Sequence, residues 1–121
     1  MKIRIKGNTL RIRLTKPEMD LFADKGYLEE QTEFGNNTLT YALQQNESGK
    51  ISAAFDQYKI TVYMPKQMAD EWAHSNRVSF EENMPVGHGR KLYLLLEKDF
   101  KCLDQTIKDQ SENYENPLAK Q

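Results

Sequence analysis

The chain has 121 residues, 38% of them hydrophobic and 29% charged, with 17 basic side chains against 18 acidic ones. That length fits one domain whose core needs no metal or disulfide, and the single cysteine, Cys102, excludes an internal disulfide. A net charge of −1 offers no global attraction to nucleic acid or an anionic membrane, so any such pull comes from local clustering.

Residues 2–6 alternate charge with Ile3 and Ile5. Gly7-Asn8 follows, and then Leu10, Ile12 and Leu14 alternate again. Two alternating runs joined by two turn-forming residues predict a tight hairpin. Thr15 with Glu18 three residues on reads as a capping box, and Pro17 suits a first helical turn. Met19, Phe22 and Ala23 then form an apolar stripe, and Lys25-Gly26 stops the helix. A second strand pair is expected over residues 28–34 and 38–43, turning at Gly35-Asn36-Asn37, with a polar connection through Asn46–Gly49.

The pattern then starts again. A shift of 50 residues lays Ile5 on Phe55, Leu10 on Ile60, Ile12 on Val62, Leu14 on Met64, Lys16 on Lys66 and Phe22 on Trp72. Leu28 falls on Val78, and the match drifts after Glu82, where residues 83–89 read as a longer turn before a strand over 91–97. The fold class predicted is α+β: two ββαββ units, 1–50 and 51–98, sharing one barrel-like core as a single duplicated domain. The expected core is Ile3, Ile5, Leu10, Ile12, Met19, Phe22, Leu39, Tyr41, Phe55, Ile60, Val62, Met68, Trp72, Phe80, Leu92, Leu94 and Leu96. Residues 99–121 read as an acidic C-terminal tail, with five carboxylates against three lysines.

One constellation carries chemistry. A two-residue loop at Gly7-Asn8 pairs Lys6 with Thr9, Ile5 with Leu10, Arg4 with Arg11, Ile3 with Ile12 and Lys2 with Arg13. Opposed residues share a face, so Lys2, Arg4, Lys6, Arg11 and Arg13 gather on one side with no acid among them. Like charges held opposite one another cost stability and call for an anion. Either the protein supplies it, from Glu29, Glu30, Glu33 or the tail, or an external polyanion does. Phosphate suits the planar fork of arginine. At the matching positions of the second unit stand Ser52, Ala54, Asp56, Lys59, Thr61 and Tyr63, which carry no net charge.

The stretch Lys6-Gly7-Asn8-Thr9-Leu10-Arg11-Ile12-Arg13-Leu14-Thr15-Lys16, followed by a short helix and a closing hairpin, resembles the swapped-hairpin domain of the AbrB/MazE (SpoVT-AbrB) superfamily. Two copies in one chain resemble the MraZ arrangement. The resemblance implies a duplex-DNA-binding regulator in which Lys2, Arg4, Lys6, Arg11 and Arg13 contact the nucleic acid. Thr15-Lys16 departs from the usual proline–lysine, which Met64-Pro65-Lys66 restores, and the second unit lacks both the glycine–asparagine turn and the basic strand. The opening Met-Lys-Ile-Arg-Ile-Lys-Gly-Asn also resembles a group of short uncharacterised bacterial proteins, a likeness that implies no activity.

Catalytic signatures are wanting. Only His74, His88 and Cys102 could serve as nitrogen or sulfur ligands, and their spacing suggests neither a zinc site nor a nucleophile dyad. Gly87-His88-Gly89 lacks the lysine and helix of a phosphate-cradling loop. Adjacent carboxylates such as Glu29-Glu30 and Glu81-Glu82 point to opposite sides of a strand. A triphosphate-tunnel enzyme would need a Glu-x-Glu strand that is absent here. No run approaches the ~18 apolar residues of a membrane span, and the alternating Met1–Lys6 is unlike a secretory leader. The expectation is a cytoplasmic, non-enzymatic protein with no cofactor, no metal, no membrane contact and no small-molecule substrate. Its partner is duplex DNA through the basic hairpin or, alternatively, another protein on a module that has lost DNA binding.

Overall fold

A computed structural model describes residues 1–99. Eight strands and two helices run in the order β1 (Lys2–Lys6), β2 (Thr9–Leu14), α1 (Lys16–Lys25), β3 (Tyr27–Glu33), β4 (Thr38–Asn46), β5 (Ser52–Asp56), β6 (Lys59–Pro65), α2 (Lys66–His74), β7 (Ser79–Gly87) and β8 (Arg90–Lys98). The fold is α+β, and each half of the described chain is a ββαββ unit.

Local chemistry accounts for the elements. Gly7 takes φ +53° between β1 and β2, and the register is Lys2 to Arg13 through Lys6 to Thr9, as the two-residue loop requires. Thr15 and Glu18 close the capping box on α1, and Gly26 ends it in the left-handed conformation. Helix α2 starts at Pro65 without a side-chain cap. Gln45 donates from its side chain to the Phe22 carbonyl at 2.9 Å, and Lys98 donates to the Ser75 carbonyl at 2.8 Å. Both tie the C-terminal end of a helix to a following strand.

The strands form two mixed four-stranded sheets, β1-β2-β8-β7 and β3-β4-β6-β5, here sheets A and B. Each sheet joins the first hairpin of one half to the second hairpin of the other through a parallel pair, β2 with β8 and β4 with β6. The two halves correspond strand for strand. Ile12 pairs with Leu96 in sheet A, and Val62 pairs with Leu43 in sheet B. The match drifts earlier than the sequence pattern indicates. Leu28 pairs with Leu43 and Phe80 with Leu96, so Phe80 rather than Val78 is the counterpart of Leu28. The extra residues lie between α2 and β7. The longer turn expected over 83–89 is mostly strand: β7 runs through Pro85, with a bulge between Pro85 and Gly87. Proline is tolerated there because β7 is a sheet edge.

A closed barrel does not form. Among the described residues no ladder joins β1 to β3 or β5 to β7. Side chains bridge those seams instead. The Met1 amine pairs with Glu18 and, at 2.6 Å, with Glu30 on β3. On the other side the Ala53 amide donates to the Met84 sulfur at 3.3 Å. The inward faces supply the core in matched pairs: Ile12 and Val62, Leu14 and Met64, Met19 and Ala69, Phe22 and Trp72 are all buried. The Trp72 indole N–H donates to the Val78 carbonyl at 3.1 Å, and its ring meets Phe80 edge to face at 6.4 Å.

Leu39, expected in the core, is half-buried and does not join it, and two more residues expected there are mostly exposed. Ile5 is 60% exposed and Phe55 69%. They occupy equivalent places on the edge strands β1 and β5, where the sheets part. The helices cover one pole of the molecule, and the four hairpin turns mark the other. Most of the expected acidic tail, residues 100–121, lies outside the described residues. Asp99 lies within them, 5% exposed, with its amide donating to the Leu14 carbonyl at 2.9 Å.

A candidate nucleic-acid interface on sheet A

Strand alternation sends Lys2, Arg4 and Lys6 of β1 and Arg11 and Arg13 of β2 to the outer face of sheet A. The parallel pairing adds Tyr93, Leu95 and Glu97 of β8 to that face, and β7 adds Glu81 and Asn83. Lys91 continues the β8 alternation. All five cations expected together are together, and Arg4 lies directly opposite Arg11.

The structure supplies some of the missing anions, one from the first residue of the expected acidic tail and one from β8, but none from Glu29, Glu30 or Glu33. Glu97 binds Arg13 at 3.1 Å and Arg11 at 3.7 Å. Asp99 pairs with Lys2 at 3.6 Å. Glu29 instead meets Lys59 at 3.8 Å and accepts a 2.6 Å hydrogen bond from the Tyr27 hydroxyl. Glu30 holds the Met1 amine. Glu33 forms no ion pair among the described residues. These three carboxylates belong to sheet B, which is why they do not cover the basic face. Among the described residues Arg4 and Lys6 have no acidic partner. An open groove of about 410 Å³ runs beside the hairpin, lined by Lys2, Arg4, Arg11 and Arg13 with Tyr41 behind them.

Neighbouring groups tune the face. The Tyr93 hydroxyl donates to Glu81, and this hydrogen bond holds the phenol above its ordinary range; burial and the Glu81 charge act the same way, while Arg11 opposes them. Tyr93 therefore stays a neutral donor beside the arginines. On sheet B the Tyr27 hydroxyl accepts from Lys59 at 2.8 Å, a contact that raises the lysine.

The outer face of sheet B has the opposite character. Ser52, Ala54, Asp56, Lys59, Thr61 and Tyr63 stand where sheet A carries its cations, and β3 adds Glu29 and Glu33. The first hairpin is therefore the strongly cationic one. Sequence patterning named the tail that begins with Asp99 as a source of anions but missed Glu97 and Tyr93 as members of the basic face. Their position depends on β8 lying alongside β2, a pairing with no local signal.

Among the described residues no cluster of three or more His, Cys, Asp or Glu is placed to hold a metal ion. His74 lies against the Asp70 carbonyl at 2.9 Å, and His88 sits in the β7–β8 turn at φ +55°. Cys102 lies outside the described residues. No helix among them is long and apolar enough to cross a membrane.

A small α+β protein with one cationic sheet face is what these features define. The chain belongs to a family of unknown function, DUF7009, whose sequence pattern matches residues 1–118. No curated protein and no solved structure matches it.

Proposed function

We propose that this protein is a non-enzymatic, cytoplasmic DNA-binding regulator that engages duplex DNA with the outer face of sheet A. The observation that carries the reading is the β1–β2 register, which holds Lys2, Arg4, Lys6, Arg11 and Arg13 on one face at a cost in repulsion. Glu97 and Asp99 restrain three of these cations, leaving Arg4, and Lys6 at the rim of the face, without an acidic partner among the described residues. The exchange of hairpins between the halves supports the likeness to the AbrB/MazE swapped-hairpin domain, with both copies in one chain as in MraZ. Because sheet B lacks a matching basic face, the duplex is held from one side rather than by two equivalent faces on a two-fold site.

Anisotropy of a labelled mixed-sequence duplex across a salt series tests this. Binding weakens linearly in log salt with a slope of about −2 to −4, because each neutralised phosphate releases close to one counterion. The Arg4→Glu/Arg11→Glu variant, shown by circular dichroism to be folded, loses binding about 100-fold or more. No binding at low salt, or equal binding by the variant, ends the proposal.

A second reading, a module that binds another protein, is favoured by a separate observation. An apolar cleft of about 520 Å³ opens between the two sheets at the turn pole.

A further inference from the structure

Five of the seven large hydrophobic side chains exposed among the described residues are Ile5, Phe34, Phe55, Tyr58 and Val86. All five lie on or next to the four hairpin turns. Exposed apolar groups scattered singly need no explanation, but a set gathered on one pole marks a contact surface. The turns sit together. The Tyr93 amide donates to the Asn8 carbonyl at 3.0 Å in sheet A, and the Thr40 amide donates to the Tyr58 carbonyl at 3.0 Å in sheet B. Between them the cleft has walls of Ile5, Leu10 and Leu92 from sheet A and of Leu39, Phe55 and Ile60 from sheet B. These walls correspond pairwise: Ile5 with Phe55, Leu10 with Ile60, and Leu92 with Leu39. The mouth thus has apolar walls at equivalent positions of the two sheets, and in that respect it is nearly two-fold symmetric.

Its charge is not. Around the sheet A turns stand Lys6, Arg90 and Lys91, with no acid between Glu82 and Glu97. Around the sheet B turns stand Glu33 and Asp56, and Lys59 there is already held by Tyr27 and Glu29. Lys6 and Asp56 occupy equivalent positions with opposite sign. Neither has an ion-pair partner among the described residues.

We propose that the turn pole is a homodimer interface, in which a second copy of this chain docks pole to pole. A two-fold axis crossing the mouth between the sheets sets the sheet A turns of one copy over the sheet B turns of its partner. Lys6 of each protomer then faces Asp56 of the other, and Phe55 of each lies against Ile5 in the other's cleft. Such a contact is isologous, so each favourable pair occurs twice. The surface is self-complementary in sign, which is the reason to choose a second copy over an unrelated apolar peptide. The inference does not depend on DNA binding.

Sedimentation velocity of the full chain, without DNA, over a concentration range up to ~300 μM tests it. The expected result is a monomer–dimer equilibrium that weakens with salt. Either Lys6→Glu or Asp56→Lys alone weakens the dimer about 10-fold, roughly the effect of one lost charge pair counted twice. The combined Lys6→Glu/Asp56→Lys protein regains the wild-type constant to within about threefold, which a merely misfolded variant cannot do. Phe55→Ser abolishes association. A protein that is monomeric across the range overturns the proposal and leaves the cleft to residues 100–121 or to an apolar segment of another protein. A dimer untouched by either single reversal, or one not restored by the combination, also overturns it.

Discussion

Sheets A and B share one topology and carry opposite surfaces. Where β1 and β2 present Arg4 opposite Arg11, the matching pair on β5 and β6 is Ala54 opposite Thr61. Where β1 ends in Lys6, β5 ends in Asp56. The inward positions do not differ in this way: Ile12 and Val62, Leu14 and Met64, Phe22 and Trp72 are all apolar and buried. Packing constrains the inward face, because a change of one methylene is felt in a close-packed core. The outward face pays no such penalty. Two halves can therefore share one arrangement of strands and helices while only one of them carries a cationic face.

Three comparisons, made with five substitutions, sharpen the contrast between the halves. The largest stability effect concerns the β1–β3 seam. Glu18 closes the capping box of α1 and also pairs with the Met1 amine, whereas its counterpart in the second unit is Met68. Burial disfavours the charge on Glu18, but the hydrogen bond to the amine, together with those from Thr15, lowers its carboxyl below the ordinary 4.5. Burial likewise works against the amine, but the bonds to Glu18 and Glu30 raise it above 8.0. The lowered carboxyl contributes stability that is complete above its unfolded value and lost as pH falls through its folded one. The raised amine contributes stability that is complete below 8.0 and lost as pH rises through its folded value. Melting temperature should thus plateau between these limits. Glu18→Gln should cost about 1–2 kcal/mol on the plateau and flatten both flanks. Met68→Gln should leave the pH profile unchanged in shape.

A smaller effect concerns the acids on the basic face. Glu97 holds both Arg11 and Arg13. Glu97→Gln should release them and tighten duplex binding about 3- to 10-fold at low salt, with a steeper salt slope. A titration showing unchanged or weaker affinity would mean that Glu97 positions the arginines rather than competing with phosphate for them. The smallest effect compares the hairpin turns. Gly7 bears its positive φ without penalty, while Gln57 and Tyr58 hold φ +50° and +62° with side chains that resist it. Gly7→Ala should destabilise by about 1 kcal/mol, all of it backbone strain, since nothing lies within 4 Å of an added Cβ. Tyr58→Gly should stabilise the monomer by about 0.5–1 kcal/mol in urea denaturation.

What was legible in the sequence is local. Period-two alternation and the Gly7-Asn8 turn determine the β1–β2 register, and that register alone places five cations on one face. Thr15, Glu18, Pro17 and Gly26 bound α1 because capping is settled within a few residues of chain. The spacing of apolar positions likewise reveals two similar units. None of these features depends on what lies across the molecule.

Three outcomes depended on distant partners. Arg13 meets Glu97 across 84 residues because β2 and β8 run parallel, and no residue near Arg13 encodes that pairing. Whether the eight strands close into a barrel or part into two sheets is decided at the β1–β3 and β5–β7 seams, where side chains rather than ladders make the link. Ile5 and Phe55 alternate like core residues, yet they sit where the sheets separate and stay exposed. Alternation dictates only which side of a strand a residue faces; whether another sheet covers that side is a property of the assembled fold.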